Sequence, residues 1–226
     1  MICHVCGGDE FDYSEVLWDE LIAQWQLAEY EVDYINRQQG EKCIHCSSNL
    51  RSIALAKAIL GAYGVDGTLY QFVTMPKFET LRVLEVNHAG TLSPVLEKLR
   101  SRKLITYPEH DMMNLDMDSD SYELVIHSDT LEHVENPIIG LSECNRVLVS
   151  GGRCIFTVPI IVDRLSRSRA GLADSYHGKE DMLNHDYKVN TEFGMDVWKY
   201  VLKAGFSEVN IHCIAYPAAL AIEAKK

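Results

Sequence analysis

Two Cys-x-x-Cys pairs stand near the amino terminus of the chain, Cys3 with Cys6 and Cys43 with Cys46. This spacing lets two thiolates point at one ion, and four thiolates complete a tetrahedral zinc site with no position left for substrate. The pairs therefore predict a structural zinc site. The alternative is a set of reduced thiols, packed in the core or active in redox chemistry.

A second group of reactive side chains, Asp129, Glu132 and His133, follows an apolar run in the middle of the chain. Imidazole titrates close to neutral pH, so His133 is a candidate general base, and Asp129 is a second catalytic candidate. The alternative is that Glu132 and His133 begin a helix and remain solvated.

The chain around this group predicts a strand, a helix and a second strand. The apolar run over residues 124–126 is typical of a strand that is covered on both faces. An Asn-Pro break at 136–137 precedes a helix over 138–147, and a Gly-Gly turn then leads into a strand over 154–158. Open α/β sheets bind ligands at the carboxyl ends of such strands, where these polar residues stand.

The spacer between the cysteine pairs is predicted to be helical. Asp12 and Glu15 have the spacing of an N-cap and its returning carboxylate, and apolar residues recur at helical spacing as far as Gly40. Residues 49–62 are rich in Ala, Leu and Ile and predict a further helix. This helix would carry the zinc module onto the rest of the chain.

Composition argues against polyanionic partners. The formal net charge is −12, from 21 basic and 33 acidic side chains, which opposes binding to nucleic acid or to an anionic membrane. The basic group Arg164, Arg167 and Arg169 is expected to lie in a solvated loop. No apolar run is long enough to cross a bilayer and the start of the chain has no leader pattern, so we expect a soluble cytoplasmic protein.

The string LVIHSDTLEHVENP at Leu124, followed by ECNRVLVSGG, resembles class I S-adenosylmethionine-dependent methyltransferases of the type 11 kind. In that family an LEHV segment precedes an RVL-x-x-GG turn. The resemblance begins at LRVLEVNHAGTLS, continues to TEFGMDVWKYVLKAGF at Thr191, and covers roughly residues 81–226. It implies S-adenosylmethionine as cofactor.

The fold that the resemblance implies is α/β, a Rossmann-like methyltransferase sheet with helices on both faces. The sheet is expected to be shortened around its second and third strands, and a small N-terminal helical zinc-binding module is added to it. We expect three parts: a zinc-knuckle helical module over 1–50, a connecting helix and loop over 51–78, and the methyltransferase domain over 79–226. A lid insertion is expected over 160–194.

The loop after the first strand of the sheet departs from the family pattern Glu-x-Gly-x-Gly-x-Gly. It keeps Glu85 and Gly90, while Asn87 tolerates positive φ and Ala89 is small, so the loop can still turn. The adenine would lie against residues 111–113, and the methionine end beside His127. The resemblance assigns these residues to the cofactor: Glu85, Asn87, His88, Ala89, Gly90, Asp111, Met112, Met113 and His127.

The next segment is short for the family. Only residues 103–109 stand where the family has a second strand, a ribose-binding acid and another helix, which leaves Glu109 as the candidate acid. This departure concerns cofactor affinity more than fold.

The resemblance also bears on the acceptor side. Asp129, Glu132 and His133 are similar to the Glu-x-x-Glu-His of O-methyltransferases in ubiquinone biosynthesis, which implies a Mg²⁺ site beside an acceptor hydroxyl. Segments at 175–178 and 191–194 resemble those of methyltransferases from sugar and surface-polysaccharide gene neighbourhoods. They imply a lid on which His177 faces the same acceptor as His133, or else makes a structural hydrogen bond in the loop.

Two functions remain open on the sequence. The first is methyl transfer from S-adenosylmethionine to a hydroxyl or amine of a small-molecule or carbohydrate acceptor. The alternative is a catalytically degenerate methyltransferase-like module that binds or assembles other molecules.

Overall fold

A computed structural model describes residues 1–176 and 187–226 of the chain. The described strands are β1 (Phe11–Tyr13), β2 (Glu41–Cys43), β3 (Val83–Val86), β4 (Arg102–Ile105), β5 (Tyr122–Ser128), β6 (Leu148–Thr157), β7 (Ile160–Ile161), β8 (Arg167–Ser168), β9 (Thr191–Gly194), β10 (Glu208–Ile214) and β11 (Ala219–Lys225). The described α-helices are α1 (Asp19–Trp25), α2 (Glu29–Gly40), α3 (Leu50–Ala62), α4 (Leu69–Phe72), α5 (Ser93–Leu96), α6 (Pro137–Val147) and α7 (Trp198–Lys203).

The centre of the fold is a six-stranded sheet in the order β10-β11-β6-β5-β3-β4. Strands β4, β3, β5 and β6 are parallel, and β11 runs antiparallel to both β6 and β10. The carboxyl ends of the parallel strands therefore meet at one edge of the sheet. Helix α3 packs over β10, β11 and β6, while α6 and α7 pack together against β6 and β10. The predicted α/β class with a Rossmann-like sheet is confirmed.

The sheet is shortened where the sequence predicted it. Strand β4 has four residues and stands at the sheet edge, and in the described part of the chain no strand pairs with its outer side. Residues 106–121 then lead to β5 through turns alone. The parallel part of the sheet consequently has four strands, β4, β3, β5 and β6.

Helix α6 begins where the Asn-Pro break predicted it. The Asn136 side chain accepts hydrogen bonds from the backbone N–H groups of Ile138 and Ile139, at 3.2 and 3.3 Å. Proline at the first helical position costs no hydrogen bond, because that N–H has no partner within a helix. The cap therefore fixes where α6 begins after the loop that follows β5.

Helix α3 is a buried helix of the core. The Asn49 side chain caps it by accepting a hydrogen bond from the Ser52 N–H at 2.9 Å. Residues 50–60 are buried except Lys57, which explains a sequence rich in Ala, Leu and Ile. The predicted helix is confirmed, and its first turn lies at the carboxyl edge of the sheet.

The prediction that a helix begins at Asp12 in the spacer is wrong. Asp12 lies in β1, which pairs with β2 as that strand enters the second cysteine pair. Those strand hydrogen bonds take the backbone groups that a helix would need. Two helices follow instead, separated by Gln26 in a left-handed conformation with φ of 49°.

The prediction that the three arginines of this basic group lie in a solvated loop is also wrong for Arg164 and Arg169. The Arg164 guanidinium donates to the Glu31 carboxylate at 2.7 Å and to the carbonyl oxygen of Trp25 at 2.9 Å. Arg169 is buried and pairs with the buried Glu192. The contacts of Arg164 join the segment after β7 to α1 and α2. No helix in the described ranges is long and apolar enough to cross a membrane.

Candidate active site

The four predicted zinc ligands come together. The Sγ atoms of Cys3 and Cys46 lie 3.6 Å apart, as do those of Cys6 and Cys43, and all four lie within 4.8 Å of one another. A zinc ion with Zn–S bonds of about 2.3 Å holds its sulfurs about 3.8 Å apart at tetrahedral angles. The cluster therefore fits zinc, and its sulfur spacing is far too long for disulfides.

The two cysteine pairs have matching backbone turns. Gly7 and Ser47 each follow the second cysteine with positive φ, 89° and 59°. The N–H of each donates to the carbonyl oxygen of the first cysteine at 2.8 Å. Burial raises the pKa of the Cys3 thiol, so a cation is what would hold this sulfur as a thiolate.

A cleft of about 960 Å³ opens at the carboxyl ends of β3, β4 and β5. We call residues 86–91, 106–113 and 128–135 the strand-end wall, because they follow these strands. We call residues 42–52 the N-terminal wall, since they run from the second cysteine pair into the first turn of α3. Tyr187 and Asn190 complete the described lining.

The loop after β3 is closed by a buried carboxylate. Glu85 accepts a hydrogen bond from the Ala89 N–H at 2.8 Å through one oxygen and from Arg102 Nε at 2.6 Å through the other. Asn87 and Gly90 take left-handed backbone conformations, with φ of 56° and 54°. Asn87 thus turns the loop where the family has glycine, as expected from its tolerance of positive φ.

The side chain of Asn87 joins the ends of two neighbouring strands. Its Oδ1 accepts from the Tyr107 N–H at 3.0 Å, and its Nδ2 donates to Thr130 Oγ1 at 3.3 Å. A glycine at this position could make neither contact. Asn87 therefore links the loop after β3 to the chain after β4 and after β5, which a glycine could not do.

Six of the nine predicted cofactor residues line the cleft: Asn87, His88, Gly90, Asp111, Met112 and Met113. Glu85, Ala89 and His127 are fully buried behind it. The His127 ring stacks on Phe156 with centroids 4.6 Å apart, and burial lowers its pKa to about 3. Glu109 is exposed and does not line the cleft; Thr106 and Tyr107 do so at the end of β4.

His133 lies on the strand-end wall beneath the segment that returns from the insertion. Its Nδ1 lies 3.0 Å from the carbonyl oxygen of Lys188, a contact in which the nitrogen must be the donor. The other ring nitrogen, Nε2, consequently carries the lone pair when the ring is neutral. Burial lowers the pKa of His133, so the neutral ring persists to a lower pH than in a free histidine.

The two carboxylates beside His133 are engaged differently. Asp129 pairs with the buried guanidinium of Arg51. Burial, followed by the negative charge of Asp129, raises the pKa of Glu132 well above its ordinary value. Among the described residues, only the four cysteines form a group with metal-ligand geometry, so the predicted Mg²⁺ site at Asp129, Glu132 and His133 is not supported.

Residues 67–156 match the family model described as a methyltransferase domain. The match spans β3 to β6, the strand-end wall and helix α6. By this match the segment, 90 of the 226 residues, is similar to a methyltransferase domain. A search of curated proteins finds no match to the chain.

Solved structures that resemble this chain include an S-adenosylmethionine-dependent methyltransferase from Thermotoga maritima, at 17% identity. That match covers 70% of this chain and 87% of the other, with a TM-score of 0.43. A methyltransferase from Mesorhizobium loti is 13% identical over 70% of this chain and 95% of the other, at 0.42. The methyltransferase domain of citrinin polyketide synthase is 14% identical over 92% of this chain and 59% of the other, at 0.47.

The cleft would fit S-adenosylmethionine in size and in backbone shape. Small-molecule sites have volumes of roughly 300–1,000 Å³. A Cβ added at Gly90 would lie 3.6 Å from Ser52 Oγ and on a left-handed backbone, so a side chain there would be strained and would narrow the gap between the two walls. Buried Met112 supplies an apolar surface in the segment that the resemblance assigns to the adenine.

The lid residue His177 lies outside the described residues. Just before it, Ser175 Oγ accepts a hydrogen bond from Trp25 Nε1 at 2.9 Å, and Tyr176 bridges to Lys188. The Asn190 side chain donates to the carbonyl oxygen of His133 at 2.7 Å. The described ends of the insertion thus join both α1 and the strand-end wall.

The sequence predicted the cysteine pair and the helix of the N-terminal wall but not that this wall lines the cleft. Arg51 on α3 is 2% exposed and lines the cleft, together with Asn49 and Ser52 from the same turn. The one available signal was an arginine within an otherwise apolar helical run. An exposed arginine on a helix gives the same pattern, so the signal did not separate the two cases.

Proposed function

We propose that this methyltransferase domain methylates a hydroxyl or amine of a small-molecule or carbohydrate acceptor. The observation that carries the proposal is the single cleft shared by the loop over 86–91, residues 111–113 and His133. The residues that the family resemblance assigns to the cofactor and to the acceptor thus line the same cleft. A degenerate module would have no need of a histidine with a lowered pKa in the lining of that cleft.

When bound, S-adenosylmethionine supplies an electrophilic methyl group on a sulfonium, and the acceptor heteroatom displaces the sulfur in line. The protein's part is to orient the two molecules and to receive the acceptor's proton. Nε2 of His133 is the candidate receiver, because Nδ1 is committed as donor to the Lys188 carbonyl. That same hydrogen bond stabilises the imidazolium which forms when Nε2 takes the proton.

Polar groups on the acceptor side support a hydroxyl-rich or amine-bearing acceptor. The lining near His133 includes the Glu135 carboxylate, the Asn190 amide and the Tyr187 phenol. The Tyr187 ring stands edge-on to His133, with centroids 6.3 Å apart. Donors and acceptors of this kind match a sugar or amino compound better than an extended hydrocarbon.

The test is equilibrium binding of S-adenosylmethionine and S-adenosylhomocysteine by calorimetry. Both are expected to bind below about 1 mM, the upper end of ordinary enzyme affinities. Gly90→Val should weaken binding roughly tenfold, because the branched side chain would lie between the two walls and displace the loop that lines the cleft. Gly64→Val is the matched control, since Gly64 has φ of 60° and open space around it at a helix end.

Failure of both ligands to bind the unaltered protein at millimolar concentration would reject the proposal in favour of a binding or assembly module. Equal losses in the Gly90 and Gly64 variants would show that the cleft has been placed wrongly. The acceptor class is then tested by measuring methyl transfer to a panel of sugars and amines.

A further inference from the structure

A second, smaller pocket lies between α1, α2 and β7 and has a volume of about 100 Å³. We call it the apolar pocket, because its lining is mostly hydrophobic. The lining includes Trp18, Leu21, Trp25, Ile35, Ile160 and Ile161. A dry cavity of about 150 Å³ with such a lining binds benzene, so this pocket has room for a group of roughly three to five carbon atoms.

Buried polar side chains of α2 hold the walls of the apolar pocket in position. Asn36 Oδ1 accepts hydrogen bonds from the backbone N–H groups of Val16 and Leu17, at 2.9 Å each. The Tyr34 hydroxyl accepts from the Val162 N–H at 3.0 Å. These contacts tie the segment before α1 and the segment after β7 to the same helix. The pocket is therefore formed without a ligand, as small-molecule sites usually are.

Arg51 stands between the apolar pocket and the cleft and lines both. Its Nη1 donates to Asp129, which lines the cleft, and its Nη2 donates to Gln38, which lines the apolar pocket. Its buried Nε has no hydrogen-bond partner in the described part of the chain. A buried donor without a partner is costly, and a ligand that crosses this boundary can satisfy it.

The apolar pocket also follows the cleft in the order of the strands. Residues 106–113 follow β4, residues 86–91 follow β3, and His133 follows β5. The next parallel strand in the sheet is β6, and Pro159 and Ile160, which line the apolar pocket, come after it. The pocket therefore lies beyond the His133 side of the cleft, away from the segments that the resemblance assigns to the cofactor.

We propose that the apolar pocket binds a small apolar substituent of the methyl acceptor, while the acceptor's hydroxyl or amine lies in the cleft at His133. The inference rests on the proposed function and narrows its acceptor to a compound with a polar reacting end and an apolar end of roughly three to five carbon atoms. The polar lining near His133 and the apolar lining beyond Arg51 match these two ends. A wholly hydrophilic sugar would leave the apolar pocket unfilled.

The first experiment measures binding to the apolar pocket and needs neither cofactor nor turnover. Two of the three tryptophans in the chain, Trp18 and Trp25, line the pocket, while Trp198 is exposed on α7. The fluorescence of a Trp198→Phe protein therefore reports on the pocket. Isopentylamine should change this fluorescence saturably, with a dissociation constant in the millimolar range. Ethylamine should bind at least roughly tenfold more weakly, because each buried methylene contributes about fourfold.

Leu21 on α1 offers a way to change the size of the apolar pocket. Leu21→Ala enlarges it, so the preference should reverse from isopentylamine to the larger benzylamine. Leu21→Phe fills it and should abolish binding of both amines. Leu202→Ala is the matched control, since Leu202 is exposed on α7 outside the pocket, and this variant should keep the original order.

The order of affinities is read within one protein, so a general loss of stability cannot reverse it. If Leu21→Phe does not fold, the reversal in Leu21→Ala still decides. No saturable change with isopentylamine, or an unchanged order in Leu21→Ala, would overturn the assignment of the pocket.

The second experiment links the apolar pocket to the reaction. Acceptors are compared in pairs that share the same hydroxyl or amine and differ only in carrying an isopentyl group or none. The member with the isopentyl group should have the higher kcat/KM, by roughly tenfold or more, and Leu21→Ala should move the optimum to larger groups.

Equal kcat/KM values within the pairs would overturn the role of the pocket in binding the acceptor. Failure of the proposed function gives a different result. In that case neither S-adenosylmethionine nor S-adenosylhomocysteine binds the unaltered protein, while the fluorescence titration with isopentylamine is unaffected.

Discussion

The two walls of the cleft have different origins in the chain. The strand-end wall consists of loops that follow β3, β4 and β5, the standard ligand position of an open α/β sheet. The N-terminal wall consists of a cysteine knuckle and the first turn of α3. Two side-chain pairs join them, Ser48 with Thr91 and Arg51 with Asp129. Gly90 also lies close enough to Ser52 that an added Cβ would contact the Ser52 hydroxyl.

The two walls are held in place by different contacts. The strand-end wall is braced internally by Glu85 and Asn87. The N-terminal wall is braced from behind, since the Cys43 N–H donates to the Ser48 carbonyl oxygen at 2.9 Å and Cys46 Sγ lies 3.3 Å from Ser48 Oγ. We therefore expect the zinc site to matter for the cofactor as well as for stability.

Removing the zinc is the strongest way to break the N-terminal wall alone. Cys43→Ser should abolish the roughly one equivalent of zinc expected by mass spectrometry. The free energy of unfolding should fall by roughly 3 kcal/mol or more, because metal-binding energy is folding energy, and the melting temperature by on the order of 10 °C. Calorimetry measures both the melting and the cofactor affinity.

Cys213→Ser is the matched control for the zinc experiment. Cys213 is half-buried and lies on β10, outside the cluster. This variant should keep its metal and lose no more than about 1 kcal/mol. Purified protein that lacks zinc and melts like the metal-loaded form would contradict the structural role.

Replacing His133 tests the strand-end wall. His133→Ala should lower kcat roughly a hundredfold, about 2.7 kcal/mol, with cofactor affinity nearly unchanged. Because burial lowers the pKa of His133, the neutral base persists below pH 6.5. The acid limb of the pH profile of kcat should therefore lie below that pH and should disappear in the variant.

His133→Asn separates catalysis from structure at this position. The asparagine amide can still donate to the Lys188 carbonyl oxygen but offers no base in place of Nε2. It should lose as much activity as His133→Ala while keeping the melting temperature of the unaltered protein. Activity preserved in His133→Asn would mean that the ring only holds the returning segment.

Local patterns explain why one wall was predictable and the other was not. The apolar run of β5, the Asn136 cap and the positive φ of Asn87 each follow from residues next to one another in the chain. The pairing of Arg51 with Asp129 spans 78 positions and has no local signal. Strand β11 was not predicted, because its three alanines are weak strand formers and Ile222 is its one β-branched residue.

The hydrogen bond between Ser48 and Thr91 couples the two walls. Removing this bond should have the smallest effect on cofactor affinity. The two hydroxyl oxygens lie 2.8 Å apart, Ser48 is fully buried, and Thr91 belongs to the cofactor loop. A net contribution of about 1 kcal/mol predicts that Ser48→Ala and Thr91→Val each weaken S-adenosylhomocysteine binding roughly fivefold. The double variant should lose little more than either single one, because both remove the same bond. Additive losses would mean that the zinc side supports the cofactor loop through Arg51 and Ser52 instead.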